Sequence, residues 1–222
     1  MKNILVPFII LISSSLFAQN GLRFEQTAAV QNFDQSSFFS SLKKNIDGSF
    51  HLYKEWNKTA FVYTKDGQKL ILGKVNFNIK DNVFQSQITK DSVFSFKINN
   101  FDRLELKDKV YKNLYANGKD KVYEVIYETD KLSIYKGYEL EIVEASNDPM
   151  AGRLRRRYSQ KSQYFSMQSN NFIPFRMSKK GILSLISDKD EIKKIQSFVK
   201  KNKLSFKKED HLKRIFNYLE NN

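Results

Sequence analysis

From Gly48 to Arg176 the apolar residues recur at every second position, and that period limits what the chain can become. Val75, Phe77 and Ile79 alternate with Lys74, Asn76 and Asn78; Phe94, Phe96 and Ile98 alternate with Val93, Ser95 and Lys97; Tyr138, Leu140 and Ile142 alternate with Glu139, Glu141 and Val143. Side chains on a strand point to opposite faces in turn, so each run has one face to bury and one to wet. Asp66-Gly67, Lys80-Asp81-Asn82, Lys90-Asp91, Asn99-Asn100, Asn117-Gly118 and Asp130-Lys131 separate the runs and carry turn chemistry. Asp66-Gly67 predicts a type I′ hairpin turn, with positive φ at both positions. The pattern predicts a mainly β fold with C-terminal helices (α+β): an antiparallel meander over residues 48–177, forming a curled sheet, a barrel or a sandwich, covered by an αα-hairpin.

Beyond Met177 the period lengthens to that of a helix. Ser178 is placed to cap a short helix running through Ile186. Ser187 followed by Asp190 resembles a capping box, opening a helix whose Ile192, Ile195 and Val199 form one stripe before Lys200, Lys201 and Asn202. Ser205 precedes a last helix with Glu209 and Asp210 in its first turn and Leu212, Ile215, Phe216 and Leu219 on one face. Residues 178–222 therefore read as a basic helical hairpin packing on the β domain.

The first 19 residues have the layout of a cleaved signal peptide: Lys2, the apolar run Ile4 to Ile12, then small residues, with cleavage near Ala18 or Gln19. A spanning helix needs about 18 or more apolar residues, so the mature chain is expected to be exported, periplasmic or extracellular, without a transmembrane helix. Residues 20–47 form a leading segment in which Phe38, Phe39, Leu42 and Ile46 sit at helical spacing, which suits either a short helix or a partly mobile entry segment. Cysteine is absent, which removes disulfides, thiol catalysis and thiolate metal ligands. Folding then rests on burial of an apolar core.

Charge is unevenly spread. Residues 151–222 hold 18 Lys and Arg against 6 Asp and Glu, in a chain of net charge +14. Of the 8 arginines, 6 lie between 153 and 214, and a guanidinium fork suits phosphate and carboxylate oxygens better than an ammonium does. Arg153, Arg155, Arg156 and Arg157, with Lys193, Lys194, Lys200 and Lys201, are the candidate anion or partner site. Outside the cytoplasm nucleic acid is not the default anion; an anionic envelope component or an acidic protein is, and peripheral membrane contact is consistent with such a surface.

Catalytic patterns are sparse. His51 and His211 are the two histidines, and neither has a neighbour at metal-ligand spacing, so no metal or cofactor is expected. Glycosidase-like chemistry would need a carboxylate pair such as Glu139 and Glu141, although half-exposed strands place such charges on a wet face routinely. No phosphate-binding glycine loop or nucleophile elbow is present. Tyr111, Tyr115, Tyr123, Tyr127, Tyr135 and Tyr138 read as core and rim, or as the lining of a ligand cavity. Two functions follow as expectations: a non-enzymatic envelope protein binding an anionic surface or acidic partner, or a periplasmic carrier of an apolar or lipid ligand inside a curled sheet.

Two stretches resemble a known group. Gly48-Ser49-Phe50-His51-Leu52-Tyr53-Lys54-Glu55-Trp56, then Phe61-Val62-Tyr63-Thr64-Lys65-Asp66-Gly67 and Val75-Asn76-Phe77-Asn78-Ile79, are similar to the opening of uncharacterised exported proteins of Bacteroidota. Val122-Tyr123-Glu124-Val125-Ile126-Tyr127, the closing Lys/Ile-rich helices and the leader ending Leu16-Phe17-Ala18-Gln19 fit the same likeness. The resemblance implies export and carries over no functional residue.

Overall fold

The computed structural model describes residues 38–41, 46–116, 118–146, 155–168 and 171–221. The leader at 1–19, most of the segment 20–47, Asn117, the turn at 147–149 and Arg153 lie outside the described residues. In chain order the strands are β1 (Phe38–Ser41), β2 (Ala60–Thr64), β3 (Lys69–Leu72), β4 (Val75–Asn78), β5 (Val83–Gln87) and β6 (Ser92–Phe96). They continue as β7 (Phe101–Leu106), β8 (Lys109–Ala116), β9 (Lys119–Glu128), β10 (Ser133–Val143), β11 (Arg157–Gln168) and β12 (Asn171–Phe175), followed by helices α1 (Lys179–Leu183), α2 (Lys189–Lys201) and α3 (Glu209–Glu220). The strands form two antiparallel sheets, in the orders β1-β6-β5-β4 and β12-β11-β10-β9-β8-β7-β2-β3, and neither closes into a barrel.

The larger sheet has an inner face covered in two halves. Ala60, Val62, Leu104, Leu106, Tyr111, Val122 and Tyr138 pack against Val75, Phe77, Phe84, Phe96 and Ile98 of the smaller sheet and the stretch that follows it. Further along, Ile126, Tyr127, Ile134 and Phe175 pack against Ile182, Ile195, Val199, Leu212, Ile215 and Phe216 of the helices. Helices of this length are marginal alone in water, so docking of these side chains, each worth about 1.5–3 kcal/mol when fully buried, is what holds the hairpin in place. The outer face carries an aromatic cluster of Tyr123, Tyr135, Phe165 and Phe172. Its rings lie over Gly137, where an added Cβ would meet Tyr123 at 3.0 Å and Phe165 at 3.2 Å.

A bulge breaks the alternation at one decisive place. Ile134 pairs with Tyr127 while Tyr135 pairs with Val125, leaving Ile126 as an extra residue in β9. Two consecutive residues, Ile126 and Tyr127, consequently enter the inner core together. Strict alternation would have sent Tyr127 outward with Tyr123 and Val125.

Several local expectations differ in the structure. Phe38–Ser41 is a strand paired with β6 in the register Phe38↔Ser95 to Ser41↔Ser92, where the spacing suits a helix. The open edge of β6 offers a row of unpaired backbone groups, and satisfying them outweighs a weak local period. Sheet pairing thus reaches back to Phe38, ahead of the boundary expected at 48. The Asp66-Gly67 hairpin is not type I′: Gly67 has φ 87, Asp66 does not share it, and Gly67 N–H donates to the Thr64 carbonyl at 3.1 Å. Lys65 to Gly67 is a three-residue loop with the left-handed residue last.

The wet face expected for β4 and β6 is buried, together with polar residues of β5 between them. Asn76, Asn78, Gln85 and Ser95 are all under 5 % exposed. The segment around His51 runs along the β4 edge and bonds Asn76 and Gln85, while Asn78 bonds Asp81. Tyr53 N–H donates to Asn76 Oδ1 at 3.0 Å, Asn76 Nδ2 donates to the Tyr53 carbonyl at 2.8 Å, His51 Nε2 meets Gln85 Oε1 at 2.7 Å, and Gln85 Nε2 donates to Ser95 Oγ at 2.9 Å.

The helical part follows its pattern, with shifted caps. Ser178 Oγ accepts from Gly181 N–H and starts α1. The cap of α2 is Asp188 rather than Ser187, its carboxylate accepting from Asp190 and Glu191 N–H. No side chain caps α3, which begins after Lys208, while Ser205 N–H donates instead to His211 Nδ1 at 2.8 Å.

Candidate functional site

The candidate cations fall on different elements, the arginines at the start of β11 and the lysines on α2. Arg155, Arg156 and Arg157 are exposed where β11 begins, opposite Val143 and beside Asp47. The helical layer begins seven residues on, at Tyr164, whose hydroxyl donates to Glu209 at the start of α3. That is about 23 Å along a strand. Lys193, Lys194, Lys200 and Lys201 are exposed on α2 within that layer. Residues close in sequence are thus shared between the larger sheet and the helical layer. Acids also intervene, since Arg156 pairs with Glu144 at 2.9 Å and Lys193 with Asp190 at 3.0 Å.

At the arginine end the sheet comes apart. Pairing between β9 and β10 stops at Tyr123↔Gly137, while β10 continues along β11 as far as Val143↔Arg157. The opening between the parted strands and the β4–β5 turn is a cleft of about 440 Å³. Ile79, Leu140, Ile142 and Tyr158 supply its apolar surface, and Lys80, Lys119 and Lys121 stand around it. Asn82, at φ 56 in the turn, accepts from Val122 N–H at 3.1 Å and ties the turn to β9.

Carboxylates share this rim in an ordered way. Glu139 pairs with Lys121 at 3.4 Å and Glu141 with Lys161 at 2.6 Å, so these two are ion-paired residues of a wet strand face. Lys80, Lys119, Arg155 and Arg157 are exposed and make no ion pair among the described residues. No local pattern marks Lys80 or Lys119; the parting of β9 from β10 brings them to the apolar floor.

The titratable groups of the interior form a second, closed cluster between the two halves of the inner core. Glu124, 4 % exposed, accepts from Lys109 Nζ at 2.8 and 2.9 Å and from the Tyr138 hydroxyl. Burial first, then the Glu124 charge, pushes the Tyr138 phenol far up, and burial does the same to Tyr111. Tyr53 and Tyr111 share a hydrogen bond of 2.8 Å. Lys136 Nζ and the Tyr164 hydroxyl both reach Glu209 Oε1, at 2.8 and 2.6 Å. Phenols held neutral here donate to carboxylates, and each carboxylate is matched by a cation; the cluster is arranged to satisfy charge and join layers.

Five of the six tyrosines considered from the sequence are core: Tyr111, Tyr123, Tyr127, Tyr135 and Tyr138 are each 8 % exposed or less, whereas Tyr115 is 75 % exposed. His51 is buried against Gln85, and His211 accepts from the chain turning into α3. Among the described residues no helix is long and apolar enough to cross a membrane. The chain matches no family model, no curated protein and no solved structure.

Proposed function

We propose that this is an exported, non-enzymatic envelope protein that binds an anionic surface through the parted end of its larger sheet. The reading rests on one observation: an open cleft with an apolar floor has Lys80 and Lys119 on its rim, and its lining includes Tyr158, the residue that follows the exposed arginine run. Phosphate groups would meet the guanidinium and ammonium heads while an apolar portion rests on Ile79, Leu140 and Ile142. Export is the expectation raised by the leader and by the resemblance to exported proteins. The space between the sheets is filled by Phe77, Phe84, Phe96, Ile98 and Tyr111, each 2 % exposed or less, which favours a surface binder over a carrier holding its ligand inside.

Sedimentation with vesicles tests it. The protein should pellet with anionic vesicles and not with neutral ones, and high salt should release it. Each cation near an anionic surface is worth about 1 kcal/mol, so the Arg155→Ala, Arg156→Ala, Arg157→Ala variant should lose on the order of 10²-fold in partitioning. Retention indifferent to salt and to the triple substitution overturns the reading; retention by an acidic protein column alone would move it to an acidic partner.

A further inference from the structure

A separate opening of about 300 Å³ lies where the β9–β10 turn, the α1–α2 connection and the end of α3 meet. Its floor is apolar, with Leu132, Ile186, Phe216 and Leu219. Its rim reverses the sign of the molecule: Asp188, Glu191 and Glu220 face it together with Lys131, on a chain of net charge +14. One oxygen of Asp188 is already used by the α2 cap. Glu191 and Glu220 are the carboxylates left for a ligand.

A second observation points into the same space. Tyr127 lines the pocket, is 8 % exposed, and its hydroxyl is buried without a hydrogen-bond partner. Burial, and then the Glu220 carboxylate beside it, push its pKa up, so the hydroxyl stays neutral, with Glu220 and Thr129 as its polar neighbours. Buried polar groups are nearly always paired, so an orphan of this kind marks a place where a ligand atom fits. The β9 bulge is what brings this side chain inward. Among the described residues no three acids or histidines converge as metal ligands do. An apolar floor beneath spread carboxylates suits a cation carried on a hydrocarbon stem.

We propose that this pocket binds an alkylammonium group, its stem on Leu132, Ile186 and Phe216 and its N–H donors on Glu191, Glu220 and the Tyr127 oxygen. The volume admits on the order of ten non-hydrogen atoms at about 30 Å³ each. A free aliphatic amine and a lysine side chain present the same chemistry.

Calorimetric titration of the full-length protein with n-hexylamine, n-hexanol and Nα-acetyl-lysine amide tests the assignment. Saturable binding of n-hexylamine is expected, about tenfold or more tighter than n-hexanol. Glu191→Gln with Glu220→Gln should cost about tenfold in amine affinity, and Tyr127→Phe several-fold, with the melting temperature of each variant unchanged or raised. Uptake of the lysine derivative as well points to a protein-borne lysine; uptake of the free amine alone points to a small molecule. The triple arginine variant should bind amine normally, which separates this site from the anionic one. Equal binding of amine and alcohol, or amine binding untouched by the paired glutamine substitutions, overturns the proposal.

Discussion

Lys136 and Glu209 lie 73 residues apart in the chain, and their side chains meet at 2.8 Å between the larger sheet and the helical layer. Glu209 is also the first residue of α3, where a negative charge complements the helix dipole. One carboxylate thus starts a helix and fastens it to the middle of β10. On the same inner face, Lys109 and Glu124 pair within the larger sheet, between the neighbouring strands β8 and β9. The two ion pairs form a polar seam between two apolar cores.

Acid should loosen the helical layer through Glu209. Burial by itself raises that carboxyl pKa, but hydrogen bonds from Lys136 and Tyr164 and the charges of Lys136 and Lys109 outweigh it and hold it below the usual carboxylate range. A depressed folded pKa contributes stability that is present above the unfolded value and lost as pH falls through the folded one. Glu209→Gln should therefore cost about 2 kcal/mol at pH 7, with much less difference from wild type near pH 3. Urea unfolding at both pH values measures this, and an equal gap at the two would refute the linkage.

Removing Glu124 should be among the most damaging single changes. Its carboxylate is almost wholly enclosed and matched by the half-buried Lys109. Glu124→Ala leaves that ammonium without a counter-charge, and deletions of this kind cost about 3–5 kcal/mol. Glu124→Leu combined with Lys109→Met should recover most of the loss, because no uncompensated charge remains. A double variant as unstable as the single one would show that Tyr138, rather than the ion pair, carries the effect.

Gly181→Ala sets two principles against each other. Alanine is the better helix former by about 1 kcal/mol, so propensity alone predicts a gain. A Cβ at Gly181 would stand 2.1 Å from the Arg176 carbonyl oxygen, which is backbone and held by Ser178 N–H at 2.8 Å. Overpacking of this sort costs about 1–3 kcal/mol, so the melting temperature should fall. A rise would mean that α1 shifts freely on the sheet.

Much of the architecture was legible because it depends on local periods. Period-two runs became β4, β6 and β10, and the stripes of Ile195 and Val199 and of Leu212, Ile215 and Phe216 became the buried faces of α2 and α3. Other features depended on neighbours distant in sequence. Phe38 and Phe39 sit in a strand because the edge of β6 was open to them. Asn76 and Gln85 are buried because the backbone and side chains around His51 satisfy them. Of the candidate cations, Arg155, Arg157, Lys200 and Lys201 are exposed, yet nothing in a linear run reveals that the arginines open a strand of the larger sheet while the lysines ride on α2.

Beyond residue 48 the amino-acid order by itself settled the broad succession of strands then helices, and throughout it settled the absence of thiol chemistry, since hydrophobic period and residue inventory act over a few neighbouring residues. Tertiary structure alone decided where charge accumulates and where openings form. A single extra residue in β9 turns Tyr127 into the core, and the parting of β9 from β10 sets Lys80 and Lys119 around an apolar floor. Those outcomes come from register and packing between remote strands, and so from energies that no local stretch of the chain contains.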